Sequence, residues 1–204
     1  MGQPQAVYSL EDYLALEQET GERYEFHEGE LFAMAGGSYN HSLICSNVAG
    51  ELRNLVKGRP CTSFNSELKI QIQEQQRYVY PDATVVCSEP KKSTTMSGAI
   101  TNPTLIVEVV SKESGDYDRG AKFRHYFSLP SVKEYLLIEQ DRPQTTLFRR
   151  HGNAQLFSVV YADGPEDAIE LKSIGTSLEL SEVYADVTFP PEKENELERL
   201  SQFI

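Results

Sequence analysis

Two carboxylates stand in runs whose other residues are largely apolar and β-branched: Asp82 in Tyr80-Pro81-Asp82-Ala83-Thr84-Val85-Val86 and Glu108 in Leu105-Ile106-Val107-Glu108-Val109-Val110. Each run reads as a strand buried on both faces. An ionised carboxylate in such a place is costly unless a cation or several donors meet it. Lys122, 14 positions after Glu108, falls on a segment with a helical pattern, so an Asp, a Glu and a Lys can converge at one sheet edge. Two hard-oxygen ligands and an ammonium are the components of a metal-dependent phosphodiesterase. Mg²⁺ is held by one or two protein carboxylates together with substrate phosphate and water, and Mn²⁺ can substitute for it.

The elements that must position these groups follow from patterning. Ser9-Leu10-Glu11-Asp12 resembles a capping box opening a short helix through about Glu17. Arg23 to Met34 reads as a hairpin turning at Glu28-Gly29. Asn40 is the expected cap of a second helix ending near Lys57-Gly58, with Ile44, Cys45, Val48, Leu52, Leu55 and Val56 on one stripe. His41 falls within that stripe and Glu51 on its edge. Glu67 to Gln73 alternates as a half-buried strand should and turns at Glu74-Gln75-Gln76 into the Asp82 strand. Ser88 to Asn102 is polar and reads as a loop that could close over a ligand. A helix is expected from Asp118 to about Ser128, followed by strands at Glu134–Glu139, Thr145–Arg149 and Leu156–Val160. The order predicts an α/β fold: a mixed sheet with helices on both faces, preceded by a helix and a hairpin.

Composition bounds the rest. The chain has 204 residues, enough for one domain with a full core, expected over residues 1–190, with an acidic tail at 191–204. Without a run of ~20 apolar residues or a signal-like N-terminus, a cytoplasmic protein with no membrane segment is expected. Cys45, Cys61 and Cys87 share no metal-ligand spacing and are expected to be reduced thiols, with neither a disulfide nor a zinc site. A formal charge of −12 counts against a tight nonspecific nucleic-acid binder, yet Lys112, Arg119, Lys122, Arg124 and His125 crowd into 14 residues and can make one locally basic region. The acidic runs Glu11 to Glu30 and Glu192 to Glu198 read as solvated helix faces.

Tyr24-Glu25 with Gly29-Glu30, Asn40-His41, Tyr80-Pro81-Asp82, Val107-Glu108-Val109, Asp118-Arg119-Gly120-Ala121-Lys122 and Val132-Lys133-Glu134-Tyr135 together resemble the Uma family of endonucleases. That family lies within the PD-(D/E)xK, or restriction endonuclease-like, nuclease superfamily. The likeness spans about Tyr8 to Phe189. It implies a restriction endonuclease-like core and Mg²⁺-dependent cleavage of DNA, with Asp82 and Glu108 as the two metal-binding acids and the Val109 carbonyl as a third ligand. The superfamily's lysine normally lies two residues after the glutamate, where this chain has Val110. Lys122, at i, i+4 from Asp118, is the favoured replacement and Lys112 the other candidate. His41, Glu51 and Glu25 are the expected supporting residues, along with Asp118 and Tyr126 on the Lys122 face. The resemblance also implies a homodimer. Two alternatives stay open: a catalytically degenerate nuclease fold that binds nucleic acid or protein, and a glycosidase-like acid/base pair made of Asp82 and Glu108.

Overall fold

The computed structural model describes residues 7–33, 37–72, 77–111, 115, 118–152 and 156–189. Lys112, the Glu74-Gln75-Gln76 turn and the acidic C-terminal segment lie outside these residues.

The first helix, α1 (Leu10–Thr20), opens on the expected capping box: the Ser9 hydroxyl accepts the Asp12 N–H at 3.1 Å, and Asp12 accepts the Ser9 N–H at 2.9 Å. It ends on left-handed Gly21, three residues beyond the sequence reading. Strands β1 (Tyr24–His27) and β2 (Glu30–Ala33) form the expected hairpin. Its two turn residues, Glu28 and Gly29, have φ of 53° and 95°, the geometry that suits the twist of a two-residue hairpin. Helix α2 (Tyr39–Val56) is capped by Ser38, whose hydroxyl accepts the His41 N–H at 3.1 Å. The cap is therefore Ser38 and not Asn40, whose side chain instead donates to the Thr188 carbonyl.

Strands β3 (Thr62–Asn65), β4 (Lys69–Ile72), β5 (Arg77–Val79), β6 (Ala83–Val86), β7 (Ala99–Ile100) and β8 (Leu105–Val110) follow. A π-helical turn at Asp118–Lys122 runs into α3 (Phe123–Ser128). Then come β9 (Glu134–Glu139), β10 (Gln144–Arg150) and β11 (Phe157–Asp163), close to the expected strands. A hairpin of β12 (Ala168–Leu171) and β13 (Thr176–Glu179), with the short α4 (Leu180–Val183), was not legible in the sequence.

A six-stranded mixed sheet is ordered β11-β10-β9-β8-β6-β3, with β8 and β9 parallel and the other pairs antiparallel. Side-chain alternation splits β8 between two cores. Val107 and Val109 meet Ile44, Val48, Leu52 and Val56 of α2, together with Ile169, Leu171 and Leu178 of the late hairpin. Ile106 and Val110 meet Tyr126 and Phe127 of α3 and, from a second sheet, Ile70, Ile72 and Val79. That second sheet, ordered β2-β1-β5-β4-β7, buries Phe26 and Tyr78 against Tyr13 of α1. Helices thus lie on both faces of the mixed sheet, as expected.

Four further expectations are corrected. Strand β4 is buried on both faces, not half-buried, because α1 and the Ser88–Asn102 segment cover its polar side. There the Lys69 ammonium meets Glu17 at 2.6 Å, and the Gln71 amide donates to Tyr78 and Thr95. Glu17 is accordingly no solvated helix-face acid: it also accepts the hydroxyls of Tyr13 and Tyr80. The Ser88–Asn102 segment is docked rather than free, since it contributes β7 parallel to β4 and buries Met96. Finally, Cys61 and Cys87 form a disulfide. They flank the Thr62–Val86 partners of β3 and β6, so antiparallel register sets them opposite one another. Cysteine spacing carries no information about that register. Cys45 is the free thiol.

Candidate active site

Pro81 lacks the N–H that a ladder needs, and β6 begins only at Ala83. Asp82 therefore stands just outside the strand, not within it. Extending the Ala83–Val107 register sets Asp82 across from Glu108. At this point the Asp82 carboxylate, instead of a backbone carbonyl, accepts the Val109 N–H at 2.7 Å. The two strands part there, and both acids flank the same peptide of β8. The Val109 carbonyl faces the His41 imidazole, which also lies 3.6 Å from Asp82.

Glu108 projects to the α3 side of the sheet. Its Oε1 accepts the Tyr126 hydroxyl at 2.7 Å and lies 2.9 Å from the Lys122 ammonium. The same ammonium is 3.5 Å from Glu25 and 3.7 Å from Asp118. Asp118, Lys122 and Tyr126 share one helix face, and the π-helical turn carries the first two; such turns recur at functional sites. Glu25 arrives from β1 and His41 from the first turn of α2. Gly37 makes room for the imidazole, since a Cβ there would fall 2.4 Å from its Nδ1.

Of the residues singled out from sequence, the fold gathers Asp82, Glu108, Val109, Lys122, His41, Glu25, Asp118 and Tyr126. Glu51 is not among them. It sits ten residues beyond His41, ~15 Å along α2 at helical rise, and accepts the Asn54 amide. Val110 is fully buried in the core below Glu108. Two neighbours were missed. Cys45, one turn after His41, brings its sulfur within 4.8 Å of His41 and Asp82 donor atoms. The signal was the i, i+4 spacing. His27, buried 3.3 Å from Glu25, gave a weaker signal, i, i+2 along a strand. A 280 Å³ concavity lined by Arg53, Lys57 and Arg59 lies at the opposite end of α2 and belongs to no part of this group.

Electrostatics distinguishes the acids. Among the described residues, Glu25, Glu108 and Asp118 meet the Lys122 ammonium, and Asp82 adds a fourth carboxylate beside Glu108. Glu25 is lowered to about 2: burial opposes ionisation there, but Lys122 and His27 outweigh it. Asp82 is also lowered, its burial overcome by His41 and the Val109 N–H. Glu108 takes the opposite course and rises to about 8. Burial is the largest cause, Lys122 opposes it, and the charges of Asp82, Asp118 and Glu25 add to it. Lys122 itself is held well above its ordinary value, since three carboxylates outweigh its burial. His41 is raised, mainly by its contact with Asp82.

Glu108 is thus the acid of the group that holds a proton most strongly. Because its folded pKa exceeds the ordinary 4.5, the stability this proton confers is complete below about pH 4.5 and is lost as pH rises through about 8. The thermal midpoint of the metal-free protein should fall between pH 6 and pH 9, and Glu108→Gln should flatten that slope. Thermal unfolding at fixed ionic strength measures both, and an equally steep slope in the Gln variant would show that another group is responsible.

The donor set fits a hard cation: two carboxylates and a peptide carbonyl. The His41, Cys45 and Asp82 trio would suit a softer ion only with a thiolate, and burial, followed by the charge of Asp82, pushes the Cys45 thiol far up.

Residues 10–183 match the Uma2 family, described as "Putative restriction endonuclease". The chain is 36% identical over 181 residues to the uncharacterized protein slr1290 of Synechocystis sp., spanning 89% of this chain and 93% of that protein. It is 34% identical over 149 residues to sll1609 of the same organism, covering 73% and 84% of the two chains. A "putative nuclease belonging to DUF820" from Anabaena variabilis superposes with a TM-score of 0.66 at 19% identity, over 88% of this chain and 99% of that one. At that identity the likeness concerns the fold, which is the restriction endonuclease-like one expected from the sequence. With a family match over most of its length and relatives at this identity, the chain belongs to the Uma2 family.

Proposed function

We propose that this protein is a divalent-metal-dependent endonuclease acting on DNA. The observation that carries the reading is the convergence where β6 and β8 part: among the described residues, Glu25, Glu108 and Asp118 all meet the enclosed Lys122 ammonium, and Asp82 stands across from Glu108. Such a group suits a divalent cation, and Asp82, Glu108 and the Val109 carbonyl would hold one. When bound, Mg²⁺ or Mn²⁺ supplies Lewis acidity toward phosphate oxygens and makes a water nucleophilic near neutral pH.

The chain's own groups supply the rest. Tyr126 and Lys122 both hold Glu108 Oε1 and so fix its orientation. The Lys122 ammonium stays charged and can stabilise the negative charge that develops on a phosphodiester under attack. Asp82 raises the proton affinity of His41, which makes that imidazole a donor toward a phosphate oxygen. Lys122 thereby takes the part of the lysine that Val110 replaces. A homodimer, which would suit paired cleavage of two strands, belongs to the same proposal; light scattering should give twice the 23.0 kDa chain mass.

The test is cleavage of single-stranded, duplex and branched DNA with Mg²⁺ or Mn²⁺, against a chelated control. Metal-dependent products are expected from at least one substrate. Val110 and the net charge of −12 favour one other reading, a noncatalytic nucleic-acid- or protein-binding module. That reading prevails if no substrate is cut with either metal.

A further inference from the structure

The β1–β2 hairpin carries side chains that the proposed chemistry does not use. Register sets Glu25 opposite Phe32 and His27 between Glu30 and Arg77, so these five residues share one face of the five-stranded sheet. The opposite face is closed by Tyr13 on Phe26 and Tyr78. Phe32 is 46% exposed, with its ring 4.9 Å from that of His27. The His27 ring in turn lies 6.4 Å from that of His125 on α3.

Two guanidiniums border this row of rings. Arg77 lies opposite His27 in register, and Arg124 directly precedes His125 on α3. Arg124 is exposed. Arg77, its side chain 14% exposed, is paired with Glu28 at 3.1 Å, and the Glu28 side chain on the outer side of the pair is 61% exposed. At its inner end the row reaches the reaction group directly, because Glu25 lies 3.3 Å from His27 and 3.5 Å from Lys122.

We propose that Phe32, His27 and His125, with Arg77 and Arg124, form a track for an unpaired stretch of DNA, one base stacking on Phe32 and neighbouring phosphates meeting the two guanidiniums. The inference rests on the nuclease reading, since the track leads the strand to Lys122. Of the three rings Phe32 is the exposed one and His27 is buried beneath it, and an exposed ring next to arginines is a means by which single strands are held, because any unpaired base offers a π-face. Bases inside a duplex are already stacked and cannot use it. A chain of net charge −12 gains no help from its overall field, so local contacts must hold the strand.

The chain has no tryptophan, so Phe32→Trp creates a single reporter on the track. With Ca²⁺ present to limit cleavage, its emission should be quenched by a 15-nucleotide oligothymidylate (length about that of one or two single-strand sites) and hardly by a blunt duplex of equal length. Phe32→Ala should weaken oligothymidylate binding roughly 10-fold, and Phe32→Tyr should restore it. Arg124→Ala should lower the log–log salt slope by about 0.7, one phosphate contact on a single strand. Lys57→Ala, at the far end of α2, should change neither. Absence of quenching, a duplex that quenches as well as the single strand, or unaltered affinity in both Phe32→Ala and Arg124→Ala would each overturn the track. Normal cleavage with no quenching would reject the track alone, whereas quenching without cleavage of any substrate would reject the catalytic reading and leave the track standing.

Discussion

Replacing Lys122 should reduce metal-dependent cleavage by roughly 10² or more, the usual cost of one preorganised electrostatic group. The substitution of choice is methionine. Alanine would empty a buried position and remove the ammonium that Glu25, Glu108 and Asp118 share, a change that costs on the order of 3–5 kcal/mol for a buried pair. Methionine keeps the packing of the stem, and protonation of Glu108 absorbs part of the charge imbalance. In Lys122→Met the Glu108 pKa should rise further, because Lys122 is the group that opposes its elevation. Single-turnover cleavage at saturating metal separates the chemical step from binding. Equal rates in Lys122→Met and wild type, with loss in Lys112→Ala, would transfer the role to Lys112.

Asp82→Asn should have the larger effect on metal binding. Any ligand selective for the native state raises its stability, by about 2.7 kcal/mol at a hundred times its Kd. For a chain of this size that is roughly 5–10 °C in the thermal midpoint. The Asn variant should lose most of this increment and about 10³-fold or more in cleavage, because a carboxylate ligand has become a neutral amide. It should also lower the Glu108 pKa, since the Asp82 charge is one of the causes holding that value up. Calorimetric titration with Mn²⁺ and carboxyl-group NMR read these two consequences independently. Undiminished Mn²⁺ affinity in Asp82→Asn would remove Asp82 from the ligand set.

The pieces of the site were legible because each has a local cause. A glutamate in a β-branched run, a Pro-Asp before another such run, and Asp118, Lys122 and Tyr126 at four-residue spacing can all be read from segments shorter than ten residues. The same holds for the α1 capping box and the turn at Glu28-Gly29. Glu51 shows the limit of that reading: its place at the edge of the α2 stripe was legible, but distance along the helix axis keeps it from the site.

Register and coverage were beyond local reach. Asp82 meets the Val109 N–H because β6 and β8 are neighbours with one particular offset, and Cys61 meets Cys87 through the offset of β3 and β6. A one-residue slip would send every side chain of a strand to its other face, and composition does not encode that choice. Strand β4 alternates as if half-exposed, yet α1 covers its polar face and Glu17 neutralises Lys69 there, 52 residues away in the chain. Periodicity tells which side chains share a face. What lies against that face depends on elements far along the chain, and so does whether a carboxylate keeps its proton: Glu25, Asp82 and the Asp118–Lys122 turn come from three separate segments, and only their convergence on Glu108 sets its charge.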